Sequence, residues 1–140
     1  MNDPLVSVLI RTCGRPELLR RALNSVQSQT YGNIEVIVFE DGPSKSVRVA
    51  DSFRHLNIRY YCLDRVIGRT RAANLALALS RGRFLNFLDD DDELFSHHIR
   101  TMLHGFKMHP EADAIHAPAL ERKILYRSLD PLDCLYSRGL

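Results

Sequence analysis

The chain has 140 residues, 45% of them hydrophobic and 26% charged, which suits one folded domain with a sizeable core and excludes a disordered segment. Its net charge of +2 gives no overall pull towards nucleic acid or anionic lipid. Three cysteines with no C-x-x-C pair, no apolar run of membrane-spanning length, and an aspartate where a signal peptide would carry positive charge point to a reduced, cytoplasmic setting. Peripheral association with a membrane is left open.

In chain order, the β-branched run at residues 5–10 predicts a buried strand. Pro16 suits the first turn of a helix whose apolar positions Leu18, Leu19, Ala22, Leu23 and Val26 repeat at helical spacing until Tyr31-Gly32-Asn33. A second strand over 34–39 ends at Glu40-Asp41-Gly42-Pro43, a short helix over 47–55 follows, and a third strand covers 58–63. The Ala/Leu-rich stretch 68–80 is a helix, with Gly82 placed to cap it. A fourth strand, 83–88, runs directly into Asp89-Asp90-Asp91-Asp92-Glu93. Phe95, Ile99, Met102, Leu103 and Phe106 mark another helix, and "ADAIHA" at 112–117 reads as a fifth, weaker strand. Residues 118–140 form a tail with at most one more strand and a helical turn, so the organised unit is 1–117.

Strands alternating with helices predict a layered α/β domain with a mostly parallel sheet, whose ligands bind at the carboxyl ends of the strands. Polar residues gather at those ends: Arg11-Thr12, Glu40-Asp41, Asp64-Arg65 and Asp89 to Asp92. Two like charges about 4 Å apart repel by roughly 4 kcal/mol at an effective dielectric near 20. A divalent cation between the carboxylates and a substrate phosphate, Mg²⁺ or Mn²⁺ by its oxygen ligands, resolves that conflict. Asp92 and Glu93 could instead cap the helix near Phe95. His97-His98 offer either further ligands or solvated positions in the first helical turn.

The stretches "VSVLIRTCGRPELLRRALNSVQSQTYGNIEVIVFEDG" and "GRTRAANLALALSRGRFLNFLDDDDEL" resemble the nucleotide-binding half of family-2 glycosyltransferases, inverting enzymes of the GT-A fold. The likeness covers about residues 5–117 and implies a Rossmann-like three-layer α/β/α sandwich that binds a nucleotide-sugar donor, a UDP-sugar above all. By position, Thr12, Glu40 and Asp41 would line the nucleotide pocket, with Asp41 accepting the ring N–H of the base. Asp89, Asp90 and Asp91 match the D-x-D region. Asp91 is then the direct metal ligand, Asp89 a second one, and Asp90 faces the ribose or the donor sugar. The arginine of the family's A-R-N is Ala73 here, which leaves Arg69 or Arg71 to meet the diphosphate. The family's proline, tyrosine and asparagine are Arg11, Cys13 and Gly14.

Nothing after Ala117 matches the family's acceptor half, so neither a catalytic base nor an acceptor (sugar, lipid or protein) can be assigned. The leading expectation is a metal-dependent glycosyltransferase donor domain; the alternative is a truncated or reduced nucleotide-binding module without transferase activity of its own. A haloacid-dehalogenase phosphatase would carry its D-x-D after the first strand, and so would a receiver-like signalling domain carry its acidic pair. This chain has Arg11-Thr12 there.

Overall fold

The computed structural model describes residues 3–121. Its elements run β1 (Val6–Thr12), α1 (Pro16–Gln27), β2 (Ile34–Glu40), α2 (Val47–Ser52), β3 (Asn57–Cys62), α3 (Arg69–Leu79), β4 (Phe84–Asp89) and α4 (His98–Met108). The strands form one parallel sheet in the order β3-β2-β1-β4. Parallel neighbours need a crossover, and each helix between strands supplies one. Among the described residues no helix is long and apolar enough to cross a membrane.

Side chains alternate across a strand, and here the alternation sorts the core into two halves. Val6, Val8, Ile10, Val36, Val38 and Leu88 pack against α1, α2 and α4 through residues such as Leu19, Leu23, Val49 and Ile99. Leu9, Ile37 and Phe39 face the other way, onto Ala72 and Ala76 of α3. Small alanines let α3 lie close to the sheet. The result is the three-layer α/β/α sandwich with a parallel sheet that the sequence predicts.

The amino-terminal edge of the sheet is held by a buried polar cluster. Glu35 accepts the Ser7 hydroxyl at 2.5 Å, an Arg59 N–H at 2.7 Å and the Arg81 backbone N–H at 2.6 Å. Burial opposes its charge, yet these bonds outweigh it and hold Glu35 below the ordinary glutamate range. Gly82 donates to the Ser7 hydroxyl, and a Cβ at this position would lie 2.5 Å from the Ser7 nitrogen. Only glycine lets the α3–β4 turn approach so closely.

Three expectations change. Residues 112–117 form no strand; Ile115 instead packs onto Gly105 of α4, so closely that a Cβ there would meet its Cδ1 at 2.9 Å. Phe95 lies outside α4, which begins at His98 with His97 as N-cap and no capping side chain, so Asp92 and Glu93 do not cap it. β1 runs on through Arg11 and Thr12, two residues beyond the strand expected over 5–10. The strand and helical turn expected for the tail lie outside the described residues.

The topology locates the site. From β1 the sheet grows through β2 to β3, and α3 then crosses the opposite face to lay β4 on the other side of β1. Strand order therefore reverses between β1 and β4, and the crevice outside the carboxyl ends at such a reversal is where ligands bind in open α/β sheets. Arg11 of β1 stands in register with Asp89 of β4 at that point.

Candidate functional site

The period-two alternation of β4 continues into the acidic block and divides it. Leu88 is buried, Asp89 is exposed and Asp90 is fully buried on the α1 side. Asp90 accepts the Thr12 hydroxyl at 2.6 Å and the Arg15 Nε–H at 3.0 Å on Oδ2, and Arg15 Nη2–H on Oδ1. A buried carboxylate without a partner would be costly, and the two-pronged guanidinium supplies one. The same arginine reaches Asp91 from Nη1 at 3.3 Å. So Asp90, expected to face the donor, is turned into the protein, and the Thr12 side chain goes with it.

Asp89, Asp91 and Asp92 remain at the surface, each with an oxygen within 4.8 Å of the others'. The protein around Asp92 first, and then the charges of Asp91 and Asp89, raise its carboxyl above the ordinary aspartate range. This cluster of hard oxygen donors suits Mg²⁺ or Mn²⁺, and no other such group occurs among the described residues. The histidines stand apart. His98 is half-buried against Asn86 Oδ1 at 2.9 Å, and burial, followed by His97, lowers its pKa.

The loop that carries the block is tied to α1. Leu94 N–H donates to the Ser25 hydroxyl at 3.0 Å, Gln29 Nε2–H to the Phe95 carbonyl at 2.8 Å, and Arg21 pairs with Glu93. These ties fix where the carboxylates stand.

The acids at the end of β2 are equally committed, one to each face of the sheet. Glu40 is fully buried. It accepts the backbone N–H groups of Gly14 at 3.0 Å and of Lys45 and Ser46 at 2.9 Å, the Ser46 hydroxyl at 3.1 Å, and the Tyr60 hydroxyl. Burial resists its charge, but the bonds prevail and its pKa is lowered; Tyr60 is raised by burial and then by its bond to Glu40. Glu40, expected in the nucleotide pocket, therefore clamps the two loops beside it, and its carboxylate is not open to a ligand. Asp41 accepts the backbone N–H groups of Ile67 at 2.7 Å and Gly68 at 3.1 Å, just before α3. Gly68 holds φ +93° there, a conformation glycine tolerates.

Of the expected arginines, Arg69 is exposed and approaches Asp89 Oδ2 at 3.5 Å. Arg71 is exposed, with no ion pair among the described residues. The sequence reading missed Arg15, and it named Arg11 and Asp92 at the strand ends without giving either a part in the site. A signal existed for Arg15, the residue before Pro16 in the quoted first motif. None existed for the 75-residue separation its contact with Asp90 spans.

Residues 7–123 match the family model of glycosyl transferase family 2. The chain belongs to that family. Among the relatives of this family-2 chain is the Campylobacter jejuni GalNAc(5)-diNAcBac-PP-undecaprenol beta-1,3-glucosyltransferase, 33% identical over 104 residues, which cover 71% of this chain and 34% of the relative. Among solved structures, Staphylococcus aureus TarS 1-349 in complex with UDP-GlcNAc superposes with a TM-score of 0.71 at 22% identity, over 76% of this chain and 32% of that one. The Pyrobaculum calidifontis mannosyltransferase PcManGT, in complex with GDP-Man and Mn²⁺, gives 0.59 at 22% identity, over 66% and 29%. At these identities the structural likeness is one of fold. The chain spans about a third of the length of the curated relatives it matches.

Proposed function

We propose that this family-2 chain is the donor-binding part of a metal-dependent, inverting glycosyltransferase that takes a nucleotide-sugar, a UDP-sugar first of all. One observation carries the reading: Asp89, Asp91 and Asp92 converge at the reversal of strand order, while Asp90 is withdrawn and neutralised. A single divalent ion, Mn²⁺ or Mg²⁺, fits the three surface carboxylates. When bound, it supplies positive charge to the diphosphate leaving group.

The chain's own residues do the positioning. Arg15 and Thr12 keep Asp90 inside and so aim its neighbours outward. Glu40 holds the loops at Gly14 and at residues 45–46, and Asp41 holds the turn into α3; together these loops border the place of the nucleotide. Asp41 uses one lone pair of each oxygen on its backbone donors and keeps others that can accept a base N–H. Arg69, beside Asp89 at the start of α3, is a cation for the diphosphate, with Arg71 on the same helical turn as a second candidate. A general base for the acceptor hydroxyl is not assigned to this chain. Of the acceptor classes, a lipid-linked one is favoured by the name of the C. jejuni relative, and action on the cytoplasmic side of a membrane accords with it. The three intact surface carboxylates weigh against a module reduced to bare fold.

Calorimetric titration of UDP into the 140-residue chain tests the reading. Binding is expected with Mn²⁺ and not in a chelator. Absence of binding under both conditions would overturn it.

A further inference from the structure

Asp89 is flanked by two guanidiniums from different elements. Arg11 of β1 lies 3.6 Å from Oδ1 and Arg69 of α3 lies 3.5 Å from Oδ2. They differ in setting: the Arg11 side chain is 12% exposed and that of Arg69 is 71% exposed. Arg11 is thus a cation largely withdrawn from water inside the sheet's α3 face, and among the described residues Asp89 is its one ion-pair partner. Beside the pair runs a cavity of about 230 Å³, walled by Leu9, Ala73 and Phe87 and rimmed by Arg11, Arg69 and Asp89. Ala73 lies one helical turn after Arg69 on the same face of α3, and its small side chain leaves that space open.

Arg11 and Arg69 hold Asp89 between them, while Asp91 and Asp92 lie on its other side as candidate partners for a cation. A divalent ion that recruits Asp89 takes away the partner of both. A mostly buried guanidinium next to a new dication then carries a large electrostatic cost, and that cost is relieved by an anion. We propose that Arg11 and Arg69 form an anion subsite for the diphosphate of a nucleoside diphosphate, masked by Asp89 in the free protein and unmasked when Asp89 turns to a divalent cation. The inference rests on the donor-site reading and adds a coupling to it. Cation and diphosphate assist each other through the arginines as well as by direct contact, and the assistance is reciprocal.

The coupling has a signature of two opposite signs. The arginines compete with the cation for Asp89, so removing either strengthens binding of Mn²⁺ alone. They serve the diphosphate, so the same change weakens UDP. Arg69→Gln, at an exposed position, and Arg11→Met, which keeps the buried stem, are titrated with Mn²⁺ alone, followed by the loss of the free-ion electron spin resonance signal. Each is then titrated with UDP and with uridine at saturating Mn²⁺. Mn²⁺ alone is expected to bind about threefold to fivefold more tightly to either variant. UDP is expected to bind about tenfold more weakly, with uridine unchanged.

Unchanged or weaker Mn²⁺ binding in both variants would overturn the masking. Equal losses for UDP and uridine would overturn the anion subsite, because damage to the fold does not distinguish the two ligands. If the unsubstituted chain binds UDP with Mn²⁺ and the variants match it, this proposal fails alone. If the unsubstituted chain binds no UDP, the donor-site reading fails first.

Discussion

Asp91→Ala is expected to weaken Mn²⁺-dependent UDP binding by about a hundredfold or more while leaving the melting temperature unchanged or slightly raised. The two effects separate because Asp91 is at the surface with like-charged neighbours, and its oxygen lies within 4.8 Å of theirs. Removing one negative charge relieves repulsion in the free protein. Arg15 loses a contact at 3.3 Å but keeps both prongs on Asp90. The neighbouring Asp90 should behave in the opposite way, since its substitution strips a buried partner from Arg15 and Thr12 and lowers stability first. Parallel calorimetry and thermal melts check this. An unchanged UDP affinity in Asp91→Ala would contradict the metal assignment.

Glu40→Ala is expected to carry the largest stability loss, about 3–5 kcal/mol, and to lower the melting temperature by about 10 °C or more. Its carboxylate serves five donors, from Gly14, Lys45, Ser46 twice, and Tyr60, whose hydroxyl also meets that of Ser44 at 3.1 Å. The loss should depend on pH. The folded-state pKa of Glu40 is lowered from 4.5, so its stabilisation is fully present above that value and disappears as pH falls through the lower, folded value. The gap between melts of the parent chain and of Glu40→Ala should therefore narrow as pH is lowered from 7 through the acid range. A constant gap across the range would mean that the charge of Glu40 is not what holds the loops.

The strand ends were legible in the sequence because short β-branched runs such as residues 34–39 stop abruptly at polar residues. Helix periodicity gave the apolar face of α1 through Val26, but the helix ends at Gln27, ahead of the stop expected at Tyr31-Gly32-Asn33. The inward turn of Asp90 was legible in principle. It shares parity with Leu88 and Asn86, and strand alternation puts it on their face. The partner that makes this burial tolerable was not, because Arg15 comes from another crossover. The same limit explains Glu40, whose donors lie on three separate stretches of chain.

The failure at residues 112–117 has a different origin. The alternation of "ADAIHA" suits a strand, but a strand also needs a neighbour to pair with. Here Ile115 finds its burial against Gly105 of α4 instead. Phe95 misled in a related way. It has helical spacing to Ile99, yet the backbone at 95–96 is already bonded to Gln29 and Thr30, which keeps it out of the helix.

The most direct test of the metal-bound donor site is a crystal of the chain soaked with UDP and Mn²⁺ and measured at the manganese absorption edge. The expected anomalous peak lies among Asp89, Asp91 and Asp92, in contact with the diphosphate and away from the Asp90–Arg15 pair. A bound nucleotide with no peak there, or a peak held by other residues, would contradict it.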